Sequence, residues 1–132
     1  MPPRVPKKPD ARSREADRQR IEAAAEFYLR ACYGTRTAAR AEEFAEYLAL
    51  ARPYVSRRVA ELLGTPLRDF LRARQLAYAQ RLLLTTPLSV HQIALASAFG
   101  TEWTFHRCFK TAFGLTPGQY RHRHRNQVTN CE

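Results

Sequence analysis

An internal repeat constrains the fold of this chain more than any other feature. Residues 55–59 read VSRRV and residues 105–109 read FHRCF, while Leu63 and Gly64 return fifty positions later as Phe113 and Gly114. Self-similarity at a fixed period indicates two copies of one small structural unit. A length of 132 residues suits one domain or two very small ones, and the repeat favours two small units joined by a connecting segment.

The spacing of apolar residues predicts an all-α chain. Between Ile21 and Tyr120 apolar residues recur at helical intervals, and no run of alternating β-branched residues interrupts them. About seven helices are predicted on this basis. They cover residues 18–33, 38–48, 52–62, 66–84, 90–98 and 102–112, and a short last helix runs from Pro117 to Tyr120.

Three local sequence signals predict where helices begin, and the apolar residues of the first helix predict which of its faces packs in the core. Thr65 before Pro66 is a predicted N-cap for the fourth helix, Ser89 with Gln92 forms a capping-box pattern, and Thr101 caps the sixth helix. The inward stripe of the first helix is predicted to hold seven residues. These are Ile21, Ala24, Ala25, Phe27, Tyr28, Ala31 and Cys32.

Each copy of the repeat reads as a helix, a very short turn and a second helix. Two helices joined by about three residues have helix-turn-helix geometry. The predicted division of the chain is a disordered basic tail (1–18), an N-terminal helix-turn-helix subdomain (19–65), a linker helix (66–85), a C-terminal helix-turn-helix subdomain (86–121) and a basic C-terminal tail (122–132). Two such units favour a DNA-binding protein over an enzyme.

The charge favours a polyanionic partner. The chain carries 22 basic and 12 acidic residues, a net charge of +10, and three of the basic residues are Lys while the rest are Arg. Arg binds phosphates and guanine edges with two parallel hydrogen bonds, although an Arg-rich composition is also typical of a GC-rich genome. Nucleic acid is therefore the favoured partner, ahead of an anionic membrane surface.

Candidate base contacts follow from the geometry of the motif. The second helix of a helix-turn-helix unit enters the major groove and places its outward N-terminal side chains on base edges. Those side chains are Arg52, Pro53, Ser56 and Arg57 in the first unit and Glu102, Trp103, His106 and Arg107 in the second. Contacts with phosphates are predicted for Arg36, Arg58, Lys110 and Arg121.

Other interpretations of the same residues stay open at this point. The arginines could be solvated surface residues. Trp103 could pack against the protein instead of a thymine methyl group, and Glu102 could complement the N-terminus of its helix instead of contacting cytosine.

Catalytic, metal-dependent and exported classes of protein find little support. The chain has no GxxxxGK, HExxH or GxSxG motif, so we predict no enzyme and no cofactor. His122 and His124 with Cys131 could bind a metal ion, but the alternating arginines oppose this and no metal is predicted. Three widely spaced cysteines, no leader segment and no long apolar run predict a reduced, cytoplasmic, nucleoid-associated chain that does not enter the membrane.

Residues 21–121 resemble the DNA-binding region of the AraC/XylS family of bacterial transcription regulators. The resemblance is strongest over Ile93, Ala94, Ala98, Phe99, Thr104, Phe105, Arg107, Phe109, Lys110, Gly114, Thr116, Pro117, Tyr120 and Arg121. It implies two homeodomain-like helix-turn-helix subdomains, a linker helix, successive major grooves as the binding site, and recruitment of RNA polymerase by an activator. Because little more than a charged tail precedes the first helix, the chain is expected to resemble the short stand-alone members, or to be a piece of a longer parent.

The chain departs from the family pattern at a few positions. Ala49 and Ala98 replace the glycine of the two turns, and an alanine with positive φ costs on the order of 1 kcal/mol. Ala51 stands where a Ser or Thr cap is usual, and Gln75 stands where Arg is common. The first unit is therefore expected to bind DNA more weakly than the second.

Together these observations predict a sequence-specific DNA-binding transcription regulator that binds an asymmetric site as a monomer and is an activator. An architectural or phage-type nucleoprotein with weak sequence specificity is the alternative on the same scaffold. An adaptor that sequesters another regulator is the third possibility.

Overall fold

The computed structural model describes residues 11–130, and within that range the chain forms seven helices and no strand. The helices are α1 (Ala11–Thr35), α2 (Ala41–Tyr47), α3 (Arg52–Leu63), α4 (Leu67–Thr85), α5 (Val90–Ala96), α6 (Glu102–Phe113) and α7 (Pro117–Asn130). The predicted all-α class is confirmed, and five of the helices begin and end within a few residues of their predicted bounds.

The first and last helices are longer than the sequence predicted. Residues 11–18 were expected in a disordered tail, but they form the start of α1, where Arg18 pairs with Glu22 and Asp17 pairs with Arg58 of α3. A pair one helical turn apart and a contact with a neighbouring helix both stabilise this extra length. Residues 1–10 of the predicted tail lie outside the described residues.

Helix α7 continues to Asn130 instead of ending at Tyr120, so most of the predicted C-terminal tail is helical. The ring of His124 lies 4.0 Å from the ring of Tyr120, and Nη2 of Arg125 donates to the carbonyl oxygen of Thr86 at 2.6 Å. These contacts hold the added turn against the end of α4. Residues 131–132 lie outside the described part of the chain.

The predicted inward stripe of α1 was too wide. Phe27 is 64% exposed, whereas Leu29, which the stripe left out, is 2% exposed. The buried residues of α1 are Ala25, Tyr28, Leu29 and Cys32, at the i, i+3, i+4, i+7 spacing of one helical face. The predicted Ile21 and Ala24 are half-buried against the same cluster, whereas the predicted Ala31 is exposed. Phe27 projects from the opposite face, because each residue turns the helix by about 100°.

The local signals for helix starts were correct in two cases out of three. Ser89 and Gln92 form the predicted capping box of α5, and the hydroxyl of Thr101 accepts a hydrogen bond from the backbone N–H of Thr104. Thr65 is not the N-cap of α4. Pro66 occupies that position in an extended conformation, and its carbonyl oxygen accepts the first hydrogen bond of the helix from Phe70.

Two apolar clusters form the core, and α4 belongs to both. The N-terminal cluster contains Ala25, Tyr28, Leu29, Cys32, Phe44, Ala45, Val55, Val59, Leu67, Phe70, Leu71 and Ala98. The C-terminal cluster contains Leu76, Ala79, Leu83, Ile93, Ala94, Phe99, Phe105 and Phe109. The first half of α4 therefore packs in one cluster and its second half in the other, so one face of the linker helix is buried against both units.

The two turns have the same backbone geometry although neither contains glycine at the key position. Ala49 has φ +57° and Ala98 has φ +64°, both in the left-handed region. In each turn the next residue donates back five positions: Leu50 N–H to Ala45 and Phe99 N–H to Ala94, each at 3.0 Å. This pattern ends a helix after a left-handed residue and satisfies its last carbonyl groups.

Replacing Ala49 with glycine should stabilise the protein. The side chain of Ala49 is exposed, so glycine removes the left-handed strain without leaving a cavity. Strain relief exceeds the added entropy of the unfolded chain, which predicts a gain of about 0.5–1 kcal/mol in the free energy of unfolding. The control is Ala60→Gly, at an exposed position inside α3, which should lose about the same amount. Urea unfolding measures both, and equal losses would contradict the argument.

Candidate nucleic-acid interface

Helices α3 and α6 occupy equivalent places in the two units. Val55 and Val59 of α3 are buried, as are Phe105 and Phe109 of α6, so each helix is anchored by one face. The eight residues predicted to contact bases lie on the other face and are exposed or half-buried: Arg52, Pro53, Ser56, Arg57, Glu102, Trp103, His106 and Arg107. Each helix thus presents four of these side chains on its solvent-facing side.

On α3 the two candidate arginines differ in their surroundings. Nη1 of Arg52 donates to Oε1 of Glu42 at 2.6 Å, which ties the start of α3 to α2. The guanidinium of Arg57 lies 6.0 Å from the ring centre of Tyr54 and has no carboxylate partner in the described part of the chain. Arg57 is therefore the arginine of this face that is available for a ligand.

On α6 a tryptophan and an arginine lie side by side. The guanidinium of Arg107 is 5.2 Å from the ring of Trp103, and Trp103 is 69% exposed. A ring so exposed is not part of the apolar core, and its contact is with Arg107 at the surface. Stacking limits the number of conformations of both side chains and aligns them at the surface.

Glu102 is held by two histidines. Its Oε2 lies 3.3 Å from Nδ1 of His91, and its Oε1 lies 3.5 Å from Nε2 of His106. Glu102 is also the first residue of α6, where a negative charge complements the helix dipole. The carboxylate therefore lies between two histidine side chains at the start of α6, and His106 stays on the outer face beside Arg107.

The four predicted phosphate contacts fall into two groups. Arg36 and Lys110 are exposed, and among the described residues neither has a carboxylate partner. Arg58 pairs with Asp17 at 2.9 Å and Glu61 at 3.1 Å. Arg121 donates to the carbonyl oxygens of Leu83 at 2.9 Å and Thr86 at 3.2 Å, at the C-terminal end of α4.

Burial lowers the pKa of the Arg121 guanidinium, and the positive charge of Arg125 lowers it further. Its hydrogen bonds satisfy carbonyl groups that the end of a helix leaves without partners. Arg58 and Arg121 thus already have a structural role. The sequence did not reveal it, because the acceptors of Arg121 are backbone atoms on a distant helix.

The structure draws attention to two side chains that the sequence did not predict as contacts, one on the candidate interface and one buried behind it. Tyr54 lies next to Arg57 on the same face and is 44% exposed. Gln75 is 2% exposed and donates two hydrogen bonds across the molecule, whereas the sequence marked it only as a departure from a family pattern. Its burial could have been inferred from its place beside Leu71 and Leu76 on the helix.

No group of three or more His, Cys, Asp or Glu that could hold a metal ion occurs in the described residues. Within the same range, none of the helices combines the length and the apolar character needed to cross a membrane.

Comparisons with known proteins place this fold. The family model described as a helix-turn-helix domain matches residues 44–123, more than half of the chain, and relatives and structural neighbours of AraC type accompany it. The chain belongs to the AraC/XylS family. The family comprises DNA-binding transcription regulators, which are not enzymes, in agreement with the prediction from the sequence.

Three similar proteins illustrate the relationship. The HTH-type transcriptional activator AarP of Providencia stuartii is 30% identical over 61% of this chain and 59% of its own length. The C-terminal domain of the response regulator yesN from Fusobacterium nucleatum superposes with a TM-score of 0.70 at 27% identity, covering 80% of this chain and 98% of that chain.

The DNA-binding domain of AdpA, a global transcriptional factor, was solved in complex with a target DNA. It has a TM-score of 0.72 at 23% identity, covers 81% of this chain and 94% of that chain, and shows that the fold is shared. This chain spans only part of the length of the curated relatives that it matches: 25% of one and 59% of another.

Proposed function

We propose that this protein is a sequence-specific DNA-binding transcription regulator that inserts α3 and α6 into adjacent major grooves of one site. The observation that carries the proposal is the pair of equivalent helices, each anchored by a buried face and each presenting an outer face with an arginine that has no acidic partner in the described chain. Double-stranded DNA is the ligand that suits such faces, because one arginine guanidinium can donate two hydrogen bonds to the two acceptors of a guanine edge in the major groove.

The site is asymmetric in this proposal. The outer face of α3 carries Arg52, Ser56 and Arg57, whereas that of α6 carries Trp103, His106 and Arg107. Unlike side chains read unlike base pairs, so one chain needs two different half-sites and a single copy is sufficient. Symmetric dimers, in contrast, need palindromes.

Arg57 and Arg107 are the proposed guanine contacts, and Trp103 and His106 extend the contact of the second unit. Arg52, Pro53, Ser56 and Glu102 complete the two faces, with Arg52 reaching DNA only if it leaves Glu42. Arg36 and Lys110 are the proposed phosphate contacts. For Arg58 and Arg121 we now propose a supporting role, since they position α3 and the end of α4 with the contacts described above.

Activation through RNA polymerase is the second part of the proposal. AarP is named a transcriptional activator, and a protein of Yersinia pestis that is 35% identical over 75 residues is named an operon positive regulatory protein. A regulator of this kind works in the cytoplasm on the nucleoid. A reporter gene downstream of the binding site tests the sign of regulation, and lower transcription with the protein present would contradict activation.

Competition between a preferred site and bulk DNA tests the core of the proposal. A sequence-specific regulator favours its site over random DNA by about 10³-fold or more. The site is found by genome-wide binding with the full chain. A ratio near one would instead indicate an architectural nucleoprotein, and no binding at physiological salt would indicate the adaptor.

Arg107→Ala and Arg57→Ala should separate base contacts from phosphate contacts. Each should lower the affinity for the preferred site by about 10- to 100-fold, equal to about 1–3 kcal/mol, with little effect on random DNA. Lys110→Ala, on the same helix as Arg107, is the matched control and should weaken both DNAs equally. Fluorescence anisotropy titrations measure all three, and equal losses for Arg107→Ala on both DNAs would make it a phosphate contact.

A further inference from the structure

The carbonyl oxygen of Ala98, in the turn between α5 and α6, is a point where both units meet. It accepts a hydrogen bond from the backbone N–H of Ala39 at 3.0 Å and another from Nε2 of Gln75 at 2.8 Å. The same Nε2 donates to the carbonyl oxygen of Ser97 at 3.1 Å. The turn of the second unit is therefore bonded to the loop before α2 and to the middle of α4.

Three of the four residues of this junction are buried, and the fourth, Ala39, is half-buried. Gln75 is 2% exposed, Ser97 is 0% exposed and Ala98 is 1% exposed. Hydrogen bonds to buried polar groups are costly to lose, because no water replaces the missing partner. Among the described residues, no buried side-chain nitrogen or oxygen lacks a hydrogen bond, and Nε2 of Gln75 has two carbonyl acceptors.

The packing around the junction is equally close. Ala98 belongs to the N-terminal apolar cluster, although it lies in the second unit. A Cβ atom added to Gly100 would lie 3.0 Å from Cβ of Ala38, so the start of α6 lies close to the side chain of that residue. The rings of Tyr33 on α1 and Tyr78 on α4 stack at 4.2 Å, which adds a second contact between the first unit and α4.

We propose that Gln75 is a positioning residue that fixes α3 relative to α6 and thereby sets the spacing between half-sites that the protein accepts. This inference rests on the proposed function, since spacing has meaning only for two reading helices on one DNA. With the junction closed, binding of one half-site presents the other helix at a defined place. With the junction loosened, the second helix samples many positions and its effective concentration falls.

The test compares Gln75→Met with Gln80→Met in the full chain. Methionine keeps the volume of the side chain and removes the donor. Gln80 is a matched control because it is also on α4 but donates to the hydroxyl of Tyr120 at 3.3 Å, within the C-terminal half of the molecule. Two measurements are made: exchange of the Ala39 amide hydrogen in the free protein, and affinities for DNAs with native spacing, spacing altered by one base pair, and one half-site.

For Gln75→Met we expect faster exchange at Ala39, a loss of about tenfold on the native spacing, unchanged affinity for one half-site, and a reduced preference for the native spacing. Gln80→Met should leave the exchange rate and the spacing preference unchanged. Gly100→Ala places a Cβ atom 3.0 Å from Cβ of Ala38 and strains the left-handed backbone of Gly100 (φ +83°), so it should loosen the same junction and reduce the spacing preference even if Gln75→Met does not fold.

The inference is overturned if Gln75→Met or Gly100→Ala folds and keeps the native spacing preference. It is also overturned if Gln75→Met leaves exchange at Ala39 as slow as in the parent protein. Failure of the proposed function looks different: the parent protein would show no preference for any DNA, whereas the exchange measurement would still report whether Gln75 closes the junction.

Discussion

Five extra base pairs between the two half-sites should abolish high-affinity binding. Five base pairs are about half a turn of B-DNA, so the insertion moves one half-site to the opposite side of the duplex. Helix α4 has 19 residues and is about 28 Å long at 1.5 Å per residue. Because each of its halves packs one face against an apolar cluster, bending it to follow the rotation would break that packing. We expect a loss of about 100-fold or more, down to the affinity of one unit.

A ten-base-pair insertion is the matched control for this experiment. It returns the half-site to the original face and moves it about 34 Å farther along the axis. The rigid arrangement described here fails on both DNAs, whereas a flexible tether would recover affinity on the ten-base-pair insertion. Electrophoretic mobility shifts with a count of proteins per DNA distinguish these cases. Retained tight binding to the five-base-pair insertion, or two proteins on a strict palindrome, would contradict the bipartite monomer.

Phe105→Ala should have the largest effect on stability of any substitution considered. Phe105 is fully buried, and its ring lies 5.0 Å from that of Phe99 and 5.6 Å from that of Phe109. Removing a buried phenyl ring lowers the free energy of unfolding by about 3–5 kcal/mol. This is a large part of the total for a typical protein, which is about 5–15 kcal/mol. Specific DNA binding should fall with it, because the same ring anchors α6. Urea unfolding followed by circular dichroism measures the loss.

The Trp103→Ala variant separates the loss of stability from the loss of DNA binding. Trp103 lies on the same helix, two residues earlier, and is 69% exposed. Its loss should change the free energy of unfolding by about 0.5 kcal/mol or less and should still weaken binding to the preferred site. If Phe105→Ala and Trp103→Ala destabilise the protein equally, the assignment of buried and outer faces of α6 is wrong.

The sequence predicted most of the fold because its signals are local and repeated. The period of apolar residues, the capping box at Ser89 and the glycines after α3 and α6 act within a few residues of chain, so they could be interpreted without the structure. The repeat then indicated which faces of α3 and α6 are equivalent.

What the sequence did not predict depends on contacts between distant segments. The first turns of α1 are helical partly because Asp17 meets Arg58, and α7 is long partly because Arg125 meets the end of α4. The local composition of both segments is mostly charged, and from composition alone each segment is predicted to be a disordered tail. The same limit applies to Gln75 and Arg121, whose partners are backbone carbonyl groups in other parts of the chain.

The place of Ala98 in the core of the opposite unit has a consequence for how this protein can change its target. If the two helix-turn-helix units were joined only by a flexible linker, either unit could be exchanged with that of a relative, and each would keep its own preferred half-site. Here an exchanged unit would have to bring a matching Ala98, Gln75 and Ala39 surface with it. If α3 and α6 read the two half-sites as proposed, new specificity is gained most readily by single substitutions on their outer faces, while the spacing between half-sites is inherited unchanged.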